Sequence, residues 1–469
     1  MIYDLLVRRQ TGTPSKSARG LAQSKTLARV PGAFWIPSGL GVRWPSTALA
    51  ALTVMVLSLT SASAETLLLT GATVHTVSGA TITNGQVLVR DGKIAAVGGA
   101  ITATDAKTIS LGGQQLYPGM IALNTDLGLV EIGAVRATVD VSEVGDYTPD
   151  VYSWLAVNPD SELLAVTRAN GVSHFEPVPQ GAVLAGQSGL MALTGWTTEQ
   201  MVVKKSVALH VYWPNASLNT IPKEKARNPK KWKSLEDQDQ ERQEKLRQLD
   251  DFFAEARAYA QARTGAKEFP IVPAWEAMLP VVRGEIPVTI HADDVRQIRA
   301  AVTWAATNGV KMILAEGLDA WRVADLLASN HVPVIFSHVF SLPPRDSEGY
   351  DVQFRAAGIL SKAGVKIAFT AGGGSLVKNL PYTAAQAVAF GLPADEAVKA
   401  LTLYPAQIAG VAERLGSIEI GKEATFFVTD GDLLDIRSNV KRMWIGGEEV
   451  SLENRHTRLY KKYKNRPLK

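Results

Sequence analysis

The sequence predicts an α/β protein, a core of parallel strands alternating with helices between two β-rich ends. Three observations lead there. Between about Asn124 and Ala371, apolar runs of strand length recur, and in the later part helical stretches at 294–308, 319–329 and 353–363 separate them. Strand–helix alternation of this kind implies parallel pairing through right-handed crossovers. The two ends instead show short runs broken by turn residues, which is the pattern of hairpins. At 469 residues the chain is long enough for one large domain and a smaller one.

Residues 47–61 are apolar, follow Arg43 and precede Ala62-Ser63-Ala64. A basic flank, a short apolar region and an A-x-A site read as a secretory signal. Residues 1–64 are therefore expected to be leader and signal, with a periplasmic or secreted mature chain starting near Glu65. The apolar run is shorter than the ~20 residues that span a bilayer, so no membrane span is expected in the mature chain. These 64 residues hold seven of the 49 Lys and Arg but one of the 45 acidic residues, which leaves 42 basic and 44 acidic in the body. A near-neutral body implies no nucleic-acid partner. With no cysteine, disulfides and thiol catalysis are excluded.

In 66–118, Leu67-Leu68-Leu69, Val87-Leu88-Val89 and Ile94-Ala95-Ala96-Val97 are broken by Asn84-Gly85 and Asp91-Gly92, two hairpin-turn dipeptides. The runs at 425–429 and 440–445 read the same way. Between the ends, strands are expected to finish near Asn124, Glu176, Leu193, His210, His291, Glu316, Ser337 and Ala371. An insertion at 223–263 mixes both charge signs densely and carries Phe252 and Phe253. It reads as a solvated helix with anchoring aromatics, or as a lid or subunit contact. Residues 451–469 form a basic tail.

Gln115-Leu116-Tyr117-Pro118-Gly119-Met120-Ile121-Ala122-Leu123-Asn124-Thr125-Asp126 resembles the start of the amidohydrolase superfamily, its imidazolonepropionase-like branch included, where two histidines stand at the positions of Asn124 and Asp126. Leu401-Thr402-Leu403-Tyr404-Pro405-Ala406 and Gly416-Ser417-Ile418 to Gly421-Lys422-Glu423-Ala424-Thr425 resemble later runs of that family, as do 69–74 and 91–98. The resemblance covers about 67–450. It implies a TIM-like (β/α)8 barrel over 119–415, and a small composite β-sandwich made from 66–118 and 416–450. It also implies a hydrolase acting on non-peptide C–N bonds, with a small-molecule amide or cyclic amide as substrate.

In that family, metal ligands close the barrel strands. Matched one at a time, His291 is retained, Glu316 stands near the place of a histidine, and strand eight offers no aspartate. Two expectations follow. In one, a rebuilt Zn2+ or Mn2+ site uses Asp126, His291, Glu316 and His338, with Asp126 and His291 catalytic. In the other, no metal binds, the pocket is only a cleft, and the activity is reduced, altered or lost; the alternative function is then a non-catalytic partner subunit or binding protein of a catalytic amidohydrolase homologue. Homo-oligomers remain compatible with both. Gly372, Gly373 and Gly374, with Asn379 and Tyr382 after them, are candidate substrate-binding residues, because glycines let backbone N–H groups approach an anion. Gly186-Gln187-Ser188-Gly189-Leu190 lacks the last glycine of a nucleophile elbow.

Overall fold

The computed structural model describes residues 65–265 and 270–467. The expected leader and signal, 1–64, lie outside the described residues. In chain order the strands are β1 (Leu67–Val74), β2 (Ile82–Arg90), β3 (Lys93–Gly98), β4 (Lys107–Ser110), β5 (Gln115–Pro118), β6 (Met120–Thr125), β7 (Val172–Pro177), β8 (Leu184–Gln187), β9 (Leu190–Ala192), β10 (Val202–Lys204), β11 (Leu209–Tyr212), β12 (Val288–Ala292), β13 (Met312–Glu316), β14 (Val334–Phe336), β15 (Ile367–Phe369), β16 (Phe426–Thr429), β17 (Val440–Ile445) and β18 (Glu448–Glu449).

One sheet holds strands from both ends of the chain, in the order β18-β17-β16-β5-β1-β2-β3 with β4 beside β1. The junction is antiparallel pairing of β16 with β5, Phe427 opposite Tyr117. Asp91 and Gly92 turn β2 into β3 with φ of 49° and 73°, the left-handed pair that a two-residue hairpin needs. Asn84-Gly85 does not make the expected turn. Asn84 has φ 52° inside β2, where the pairing with β1 shifts register. The dipeptide is thus a bulge.

The remaining strands form two sheets, β10-β9-β7-β6 and β15-β14-β13-β12-β11-β8. Within the longer sheet, β11 to β15 are parallel, and β6 is parallel to β7. One position departs from the expected all-parallel order. β8 runs antiparallel to β11, and β9 antiparallel to β7. Only Ser188 and Gly189 separate β8 from β9, and a parallel crossover needs a dozen residues or more. The stretch 184–192 is therefore one interrupted reversed strand that carries the chain from one sheet to the other. At the opposite seam, Thr370 Oγ1 donates to the carbonyl of Asn124 at 3.0 Å. Ile121, Leu123, Ile313, Ile335 and Ala368 pack together in one buried cluster. Helices such as Val295–Asn308 and Val352–Lys362 bury their apolar faces against the outer one.

The insertion forms a 31-residue helix, Leu235–Gly265. Its first half is exposed, and its second half buries Leu249, Phe253 and Ala256. Phe253 meets Trp304 edge-on at 4.9 Å, and Phe252 packs at 4.8 Å from Tyr147 and 4.7 Å from Trp275. No helix among the described residues is long and apolar enough to cross a membrane.

Candidate functional site

Two strand ends break the alternation of the strands that carry them. Asn124 and Glu316 have φ of 51° and 73°, in the left-handed region that non-glycine residues seldom occupy. Alternation would place Glu316 on the face of Leu314, which packs among the helices. The backbone twist at 316, continued by Gly317 at φ 72°, turns the carboxylate to the strand ends instead. There Asn124 Nδ2 donates to Glu316 Oε1 at 3.1 Å, and Ser337 Oγ donates to Oε2 at 2.7 Å. Burial works to raise this carboxylate, but the nearby His291 imidazole, with hydrogen bonds from Ser337 and Asn124, outweighs it and holds the group at about 2.

Behind Glu316 lies a buried line of two imidazoles and an acid. Glu176 closes β7, His210 sits in β11 and His291 in β12, and each is at most 5 % exposed. Glu176 Oε1 accepts from Ser188 Oγ at 2.6 Å, and Oε2 from the Asn124 backbone N–H at 3.1 Å. His210 Nε2 faces Glu176 Oε1 at 3.8 Å. His210 Nδ1 and His291 Nε2 share a 3.0 Å hydrogen bond, and His291 Nδ1 faces Glu316 Oε1 at 3.5 Å. Neither His210 Nε2 nor His291 Nδ1 has a hydrogen-bond partner. Burial, the largest influence, keeps His210 below its ordinary value. Burial also works to raise Glu176, yet His210, Ser188 and Asn124 together keep it below the usual carboxylate range. Tyr212, register partner of His291, stacks on its ring at 4.0 Å and fixes the plane.

His291 and Glu316 line a cavity of about 800 Å³ with Tyr212, Asp293, Arg296 and Arg345. Both arginines are already engaged. Arg296 bonds Asp294, and Arg345 grips Asp319 with both terminal nitrogens. Asp293 accepts from His338 Nε2 at 2.9 Å.

Of the four expected metal ligands, three converge: His291 is 3.5 Å from Glu316, and His338 Nε2 is 3.8 Å from Glu316 Oε2. They do not fit a metal ion. His338 uses one ring nitrogen on Asp293 and the other on Ser341 Oγ at 2.9 Å. His291 Nε2 is taken by His210. Asp126 points its carboxylate at the backbone N–H of Gly374. What remains is His291 Nδ1 and Glu316 Oε1, fewer than the three protein ligands of an open zinc site. Among the described residues, no group of three or more His, Asp or Glu is placed to hold a metal.

The substrate-binding set divides as well. Gly372, at φ 71°, follows β15, and Gly374 lies against Asp126 and Leu127. Asn379 and Tyr382 line a separate cavity of about 500 Å³ with Asn170, Leu433 and Val440. The reason is the 3₁₀ segment Gly374–Asn379, which carries the chain about 12 Å onward at about 2 Å per residue. Sequence reasoning placed strand ends at Glu176 and His210 but gave neither a role. The available signal was the two-residue spacing of His210 and Tyr212, which puts both on one strand face.

A twisted parallel core whose strand ends carry buried acids and imidazoles is the form of a TIM-barrel hydrolase. The Amidohydrolase family model matches residues 207–450 of the 469, and the chain belongs to that family. An amidohydrolase structure from Thermotoga maritima superposes with a TM-score of 0.72 at 26 % identity, covering 82 % of this chain and 99 % of that one. A prolidase complexed with N-methylphosphonate-L-proline superposes with a TM-score of 0.51 at 16 % identity, covering 82 % and 99 %. It is a likeness of fold. The amidohydrolase tasK of Hapsidospora irregularis is 22 % identical over 424 residues, 80 % of this chain, and the chain spans 41 % of that relative's length.

Proposed function

We propose that this chain hydrolyses a non-peptide C–N bond, in a small or cyclic amide, at the cavity between His291 and Glu316. The observation that carries the reading is the contact of His291 with the Glu316 carboxylate, 3.5 Å apart, at the wall of an 800 Å³ cavity. Membership of the Amidohydrolase family supports it. A water donating to the Glu316 carboxylate, whose side chain is partly open to the cavity, would lie beside His291, in the position of a nucleophile activated by a general base. No step is routed through zinc or manganese, for which the donors do not fit. Asp126 serves the site by holding the glycine loop at Gly374. The apolar run 47–61 before Ala62-Ser63-Ala64 supports action in an exported form. The test is release of amine or acid from a panel of cyclic imides, lactams and N-acyl amino acids, comparing wild type with His291→Gln. Turnover by wild type and loss in the variant is the expected result. Equal rates in both would sink the reading.

A second reading rests on Asp126 and His338, whose polar atoms are spent inside the protein. It makes the chain a binding partner of a catalytic homologue, and co-purification with such a homologue alongside no turnover would favour it.

A further inference from the structure

The helix Arg455–Lys464 turns its apolar side away from the protein. Its start is fixed. Asn454 is buried, and its side chain accepts from the backbone N–H groups of His456 and Thr457 at 2.9 and 3.2 Å. Thr457 Oγ1 in turn accepts from the Asn454 N–H at 3.0 Å. At about 100° per residue, Leu459, Tyr460 and Tyr463 share one face of this helix, and Arg458 lies on the other. Arg458 pairs with Glu162 of the helix Glu162–Arg168 at 2.5 Å, which sets the side that meets the body. The opposite side meets solvent: Leu459, Tyr460 and Tyr463 are 38 %, 65 % and 59 % exposed. A helix of a globular protein ordinarily lays its apolar stripe on the core, and this one does the reverse.

Charge is segregated to the same place. Residues 65–450 hold 35 basic and 43 acidic side chains, whereas 451–469 hold seven and one. Arg458 and Lys461 make ion pairs, with Glu162 and Glu453. Arg455, Lys462, Lys464 and Arg466 make none among the described residues. Lys464 Nζ lies 5.7 Å from the centre of the Tyr460 ring, and Lys462 Nζ 5.6 Å from that of Tyr463, so each exposed ring has an ammonium over it. We propose that this helix docks the protein on an anionic lipid bilayer, with Leu459, Tyr460 and Tyr463 in the headgroup layer and Lys462 and Lys464 at the phosphates.

The chemistry of the face selects this partner. An apolar stripe flanked by Lys and Arg is the build of a helix that lies in the plane of a membrane interface. Tyrosine suits that layer, because its ring is apolar and its hydroxyl wet. Lysine stems run along apolar surface and carry the ammonium out to the headgroups. Ten residues reach about 15 Å at ~1.5 Å each, half of the ~30 Å hydrocarbon core, so the helix lies on the bilayer and does not cross it. The acidic excess of 65–450 is repelled by the same lipids, which leaves the helix as the point of contact. RNA would draw the charges equally, yet its phosphates offer Leu459 no apolar layer.

The test uses the full chain, which has no cysteine, so Tyr463→Cys carries a single environment-sensitive fluorophore. Vesicles of equal parts phosphatidylcholine and phosphatidylglycerol should shift its emission to the blue, and vesicles of phosphatidylcholine alone should not. Each Lys or Arg near an anionic surface strengthens binding about fivefold. Lys462→Gln with Lys464→Gln should therefore raise the lipid needed for half the response about 25-fold. Salt at about 1 M, where screening acts within about 3 Å, should weaken the response strongly. The same fluorophore at Glu241→Cys, on the exposed first half of the long helix, is the control and should stay unchanged. All these positions are exposed, so the variants keep the fold, which an unchanged unfolding midpoint verifies. No response to anionic vesicles, an equal response to neutral ones, a response unmoved by the two glutamines, or the same response from position 241 would each overturn the inference. Emission already blue without lipid would assign the stripe to a second copy of the chain, and a stronger response to polyuridylate would assign it to RNA; either overturns the bilayer.

Discussion

Asn124 donates a 3.1 Å hydrogen bond to Glu316 across 192 positions of sequence, and both residues hold a positive φ to do so. Backbone in this region costs on the order of 1–3 kcal/mol per residue and persists where surrounding structure enforces it. Here the enforcement is mutual. Asn124 also presents its backbone N–H to Glu176 and its carbonyl to Thr370. One residue thus ties the buried acid, the cavity acid and the seam between β6 and β15.

The Glu316 carboxylate sets an acid limit on stability. Its value of about 2 lies below the ordinary 4.5, so its stabilising effect is present above pH 4.5 and is lost as pH falls through about 2. The thermal midpoint of wild type should drop across that window. Glu316→Gln should show a shallower drop in the same scan, and equal slopes would remove Glu316 from the cause.

Gly374→Ala should loosen the loop after β15. Its added Cβ would lie 2.7 Å from the backbone Cα of Leu127 and 3.0 Å from Asp126 Oδ1, which already accepts from the Gly374 N–H. Overpacking of this kind costs about 1–3 kcal/mol. Urea unfolding should place the variant lower by that amount, whereas Gly373→Ala, with open space around its position, should stay within about 0.5 kcal/mol.

Chelation should leave the protein unchanged. With two donors free where three protein ligands are needed, metal analysis of purified protein should find zinc and manganese well below one ion per chain. The unfolding midpoint should be the same before and after dialysis against a chelator. A stoichiometric ion whose removal lowers the midpoint would contradict the donor geometry.

The long helix should divide into a structural half and a dispensable half. Phe253 is 1 % exposed against Trp304, and Phe253→Ala should cost about 3–5 kcal/mol. Glu241, exposed and paired with exposed Lys233, should tolerate alanine within about 0.5 kcal/mol. Denaturant titration of the two variants separates these outcomes.

A chain stopped after Gly410 should be insoluble. It would lack β16, whose Phe426, Phe427 and Val428 are fully buried and pair with β5. An uncovered strand edge with apolar faces is a site of aggregation. A soluble truncated protein would show that β5 needs no partner.

The sequence by itself determined most of the core strand ends and the helices at 294–308, 319–329 and 353–363, because two-residue and 3.6-residue periodicities are local properties of the chain. It determined the Asp91-Gly92 hairpin for the same reason, since a left-handed turn depends on the two residues that make it. It also placed His291 and Glu316 at strand ends, and so on a common rim. The reversal of 184–192 was decided by tertiary structure, because direction follows from which neighbour offers free backbone groups. Tertiary structure likewise turned Asn84-Gly85 into a bulge, through the register of β1. The pairing of His210 with His291 spans 81 positions, and the buried charge of Glu176 exists only once β7 lies beside its neighbours. Burial and proton position belong to the assembled core, where side chains distant in the chain share one low-dielectric space.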